Sequence, residues 1–121
     1  MSHSYLFHLP RRLPLDHPDF GPDYAANIPS GPFTDRDTLE RELTQLFPDA
    51  RWEGDSASAM TDAGWVEPRL FEHEGLYWSL RCSLRNDYDA LVQAICDRMG
   101  WIAFDERQRL FQPHRSPIQL T

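Results

Sequence analysis

Glu72, His73 and Glu74 set two carboxylates on either side of an imidazole, residue types suited to general acid–base work. At the Glu74-Gly75 turn both carboxylates share one face, and a solvated turn explains them as well. Asp35 and Asp37 form a second pair, placed where a helix begins and accounted for by capping. Cys82 is a candidate nucleophile with His73 as base on the neighbouring strand, but it shares its face with Leu80 and Leu84, where a thiol is buried and inert. The histidines His3, His8, His17, His73 and His114 stand in no zinc-ligand spacing. Arg81, Arg85, Arg107 and Arg109, with Tyr77, offer the charge and stacking surface that RNA can use. There is no Gly-rich phosphate loop, no GxSxG and no Walker pattern. The expectation is no catalytic, cofactor or metal residue.

Charge is more informative than motif. The net charge is −7, and residues 34–75 carry all of the excess, with four Arg against eleven Asp and Glu. Residues 1–33 hold a net of −1 and residues 76–121 a net of +1. Such a surface repels nucleic-acid phosphate and anionic lipid and attracts a basic protein. The partner-binding candidates are Asp19 and Asp23 in a proline-rich stretch, and Asp55, Asp62, Glu72 and Glu74 in loops and turns free of capping duties. No apolar run is long enough to span a membrane, and the start MSHSYLFHLPRR has no leader pattern. With Cys82 and Cys96 expected as buried free thiols, the compartment expected is cytoplasmic.

The elements that must position these residues follow from periodicity. A chain of 121 residues with four Trp, seven Phe and four Tyr has the length and apolar content for one folded domain, 1–121. Leu76 to Leu84 alternates with period two, putting Leu76, Trp78, Leu80, Cys82 and Leu84 on a buried face. Further strands are expected at about 4–9, 65–73, 101–104 and 109–112, with a short strand at 50–54. Pro68 should force an edge position or a bulge. Residues 54–64 read as a polar loop. Thr34 to Phe47 reads as a helix with Thr34 and Asp37 as a capping box. A second helix runs from Asp87 to Met99 with Asn86 as cap and Gly100 as its left-handed stop. Residues 10–33, with six prolines, read as a long ordered loop, and 114–121 as a frayed tail. The fold class is α+β: a single mixed or mostly antiparallel sheet of about five strands with two helices on one face.

The closing segment, ICDRMG followed by WIAFDERQRLFQP, resembles the end of small bacterial proteins in which a helix, a Gly-aromatic step and a strand closing on Phe/Tyr-Asp follow one another. Some of these are similar to immunity proteins encoded beside secreted toxins. The resemblance covers the C-terminal third. Where those relatives often read Asp-Pro-Gln at the turn, this chain has Asp105-Glu106-Arg107-Gln108. No functional residue carries over. The resemblance implies a non-catalytic, cytoplasmic immunity or antitoxin-like protein that occludes the active site of a basic toxin. The alternatives are a small adaptor or homo-oligomeric subunit of a larger enzyme, and a small enzyme built on Glu72, His73 and Glu74.

Overall fold

A computed structural model describes residues 2–10 and 30–120, with Ser2 and Ser30 described by backbone alone. The fold is α+β, one antiparallel sheet with two helices. Its elements are β1 (Ser2–Pro10), β2 (Ser30–Gly31), α1 (Arg36–Leu46), β3 (Arg51–Glu53), β4 (Ser56–Thr61), β5 (Gly64–Glu72), β6 (Leu76–Ser83), α2 (Asp89–Met99), β7 (Ile102–Asp105), β8 (Arg109–Gln112) and β9 (Arg115–Gln119). The strands run β3-β4-β5-β6-β1-β7-β8-β9, and β2 pairs with the far end of β1. The sheet therefore has eight strands in line, not about five.

β1 lies in the middle, with β6 on one side and β7 on the other. β6 and β7 are both antiparallel to β1, hence parallel to each other, and α2 makes the crossover between them. Register aligns the inward face: Phe7 opposite Trp78, Tyr5 opposite Leu80, Leu70 opposite Trp78 and Val66 opposite Cys82. Both helices close over that face. Leu39 and Leu43 of α1, and Val92, Ile95 and Cys96 of α2, join the same buried cluster as Tyr5, Phe7, Val66, Leu70, Trp78 and Leu80. The Phe7 and Trp78 rings stack with centroids 4.0 Å apart, and Trp101 stands edge-on to Trp78 at 5.7 Å. A smaller cluster of Ile102 and Leu110, with Phe104 and Leu120 packed on it, lies on the opposite face, since Ile102 and Phe104 alternate with the inward Ala103.

Several sequence expectations are corrected. Residues 56–61 are strand β4, not loop: Ala57 and Ala59 are its buried positions, and their small side chains leave no apolar signal to read. The tail is ordered into β9, paired with β8 through Arg109–Gln119 and Leu110–Ile118. Pro68 sits in an inner strand, buried and opposite Leu80. The β4–β5 register passes from Ser56–Arg69 to Ala59–Val66, skipping the pairs at Pro68 and Glu67, so the missing N–H costs one gap in the ladder and no bulge. Asp35, not Thr34, caps α1, accepting from the Thr38 N–H at 3.1 Å. Asn86 does not cap α2; it donates to the Ala63 carbonyl, and Tyr88 holds the N-cap position. Leu84 falls in the turn after β6 and is half exposed, and Leu91 is only partly buried. Gly100 stops α2 in the left-handed region as expected, at φ 71°.

Candidate functional site

The acidic candidates divide between the two ends of the sheet. Asp35 starts α1, and its carboxylate, bound by the Thr38 hydroxyl and N–H, stays below the usual range. The next residue, Arg36, reaches away from the helix to two carboxylates. It binds Asp55 at the start of β4, and its Nη1 lies 3.7 Å from Glu72 Oε1 at the end of β5. β4 and β5 are antiparallel, with Ser56 opposite Arg69, so β4 starts at the end of the hairpin where β5 finishes. The Asp55 carbonyl is fixed there by the Leu70 N–H at 2.8 Å. Glu74 follows in the β5–β6 turn, exposed and at φ 56°. Asp55, Glu72 and Glu74 thus share one end of the sheet, with Arg36 between the first two. Asp55 and Glu72 are ion-paired rather than free, although 62% of each side chain remains accessible.

Asp62 is not with them. It occupies the β4–β5 turn at the other end of the strands, roughly 20 Å away at about 3.3 Å per residue. Asp19 and Asp23 lie outside the described residues, as does the Pro-rich stretch they belong to through residue 29.

The nucleophile candidate falls apart on the same geometry. His73 follows the end of β5, whereas Cys82 pairs with Val66 near the start of that strand, so the two belong to opposite ends of the hairpin. Burial pushes the Cys82 thiol up to about 12, and burial also raises Cys96. Both cysteines are free and buried. The arginines do not all form one surface. Arg81 lies 3.7 Å from Glu67, while Arg85, Arg107 and Arg109 line one cavity together with Asp87, Asp89, Asp105 and Glu106.

Arg109 belongs to a constellation that sequence reasoning missed. Its Nη1 and Nη2 donate to the two Asp89 oxygens at 2.7 and 3.0 Å, and its Nε donates to Asp105 Oδ2 at 2.7 Å. Tyr5 donates its hydroxyl to Asp89 Oδ1 at 3.0 Å. The guanidinium also stands 5.1 Å from the Phe111 ring centroid. Four elements meet here: β1, α2, β7 and β8. Arg109 holds the Asp89 carboxyl below its ordinary value, Asp89 in turn raises Arg109, and burial followed by the Asp89 hydrogen bond raises Tyr5. Each shift favours the protonation state the group already has at neutral pH, so the charges that tie the four elements together are held in place. The network lines a cavity of about 360 Å³ together with His3, Arg85, Arg107, Asp87 and Glu106. The readable trace was Asp105 and Arg109, four apart across a hairpin turn; Asp89 is twenty residues away and left none.

Among the described residues, no three His, Cys, Asp or Glu side chains gather as metal ligands. No helix among them is long and apolar enough to cross a membrane. No family model, curated protein or solved structure matches the chain.

Proposed function

We propose that this chain is a non-catalytic protein-binding module of the immunity or antitoxin-like kind, which neutralises a basic toxin by covering its active site. The observation that supports the reading is the exposed end of the sheet where Asp55, Glu72 and Glu74 outnumber Arg36 and Arg69, within a segment of net charge −7. A basic surface approaching that end meets unbalanced negative charge, which speeds encounter and sets orientation. The mechanism is occlusion, with no bond made or broken. A cytoplasmic site of action goes with two free, buried cysteines.

The test is capture of the partner from the native host with the full chain, identification by mass spectrometry, and measurement of association rates. A basic toxin-like partner is expected. Glu72→Arg with Glu74→Arg should slow association at low salt by about tenfold and flatten its salt dependence. An acidic partner, or rates unchanged at both low and high salt, would overturn the reading.

A further inference from the structure

A groove of about 640 Å³ runs between the end of α1, the β4–β5 turn and the start of α2. Leu46, Pro48, Met60 and Leu91 give it an apolar lining, and Asp62 and Asp87 stand at its rim. Met60 is 65% exposed, the highest value for any large apolar side chain among the described residues. No Arg or His joins the lining among those residues. Among the described residues Asp62 enters no ion pair, and Asp87 accepts a hydrogen bond from the Asp89 N–H. The β3 ladder ends at Arg51–Ser58, so Ala59–Thr61 have no strand partner on the β3 side among the described residues. One wall of the groove, as those residues form it, is thus a strand edge.

An apolar centre with a polar rim is the anatomy of a protein interface, and here the rim has one sign of charge. The geometry points to this groove as the docking site for a cationic segment of a protein partner, one that inserts a single large apolar side chain between flanking Lys or Arg residues. Met60 and Leu91 receive the apolar anchor. Asp62 and Asp87 take the flanking cations. That edge of β4 accepts backbone hydrogen bonds from the segment. This docking mode rests on the basic-partner reading above and adds which part of the partner binds, at the end of the sheet opposite Glu72 and Glu74.

The probe is a library of random twelve-residue peptides displayed on phage and selected on the full chain. The enriched pool should carry one Leu, Met or Phe between Lys or Arg residues. Its capture should fall about tenfold or more on Met60→Asp and on Asp62→Arg, each checked for an unchanged near-ultraviolet circular dichroism spectrum. Asp62→Arg lies in an exposed turn and serves if Met60→Asp disturbs the fold. A basic pool that ignores both groove variants and is lost on Glu72→Arg with Glu74→Arg would overturn the groove and leave the basic-partner reading standing. An acidic pool, or none, would overturn both.

Discussion

Arg109 grips both oxygens of Asp89, across twenty residues of sequence, at 2.7 and 3.0 Å. Removing the guanidinium leaves Asp89 and the 5% accessible Asp105 side chain without their cation. Arg109→Met should cost about 3 kcal/mol in urea unfolding at pH 7. A variant as stable as the wild type would show that the network is not a structural tie.

The same pair sets a pH dependence. Arg109 depresses the folded-state value of Asp89, so the carboxylate contributes stability above its unfolded value of about 4 and loses it as pH falls through the lower folded value. Wild type and Arg109→Met should therefore differ most near neutrality and converge towards pH 3. Urea midpoints at both pH values measure the gap, and a constant gap would contradict the assignment.

Leu80 is fully buried between Tyr5 and Pro68 on the neighbouring strands. Leu80→Ala should cost about 2–5 kcal/mol through lost contacts and the cavity left behind. Equal urea midpoints would place the helix-facing side of β6 elsewhere.

Gly64 and Gly54 both have positive φ, at 132° and 65°, but differ in surroundings. A Cβ on Gly64 would stand 2.2 Å from Asn86 Nδ2 and 2.6 Å from the Tyr88 hydroxyl, which donates to the Trp65 carbonyl. A Cβ on Gly54 meets nothing within 4 Å. Gly54→Ala should cost about 1 kcal/mol and Gly64→Ala clearly more. Thermal unfolding of the two variants compares them, and equal losses would mean that the Asn86 and Tyr88 side chains give way without cost.

Cys82 and Cys96 should resist a thiol reagent at pH 8 in the folded protein and react fully in urea, because both are buried and their thiolates disfavoured. Rapid labelling without urea would contradict the core placement.

What could be read in the sequence depended on whether side-chain size carried the pattern. β6 was legible because Leu76, Trp78, Leu80 and Cys82 are large or sulfur-bearing and alternate without interruption. β4 was not, because its inward residues are alanines and its most apolar residue, Met60, faces solvent. β9 was hidden by Pro117, which an edge strand tolerates and an inner strand seldom does. Pro68 breaks that rule where one gap in the ladder absorbs it. The acidic end was legible as composition, but not Arg36 between Asp55 and Glu72, since that contact depends on where α1 starts relative to β4. The Arg109 network left only the Asp105–Arg109 spacing as a local trace, because its members come from four elements.

The central place of β1 makes assembly non-local. Without it, β3–β6 and β7–β9 are two separate meanders, because β6 and β7 meet only through β1. Residues 2–8 must wait for partners at 78–83 and at 102–105 before the sheet exists as one object. Contacts this distant in sequence slow the search, and a ribosome-bound chain would carry β1 without β6 until residue 83 had emerged and without β7 until residue 105 had. For that interval the two faces of β1 and its Tyr5 and Phe7 are open to wrong pairings, so this strand is where folding in the cell has most to lose.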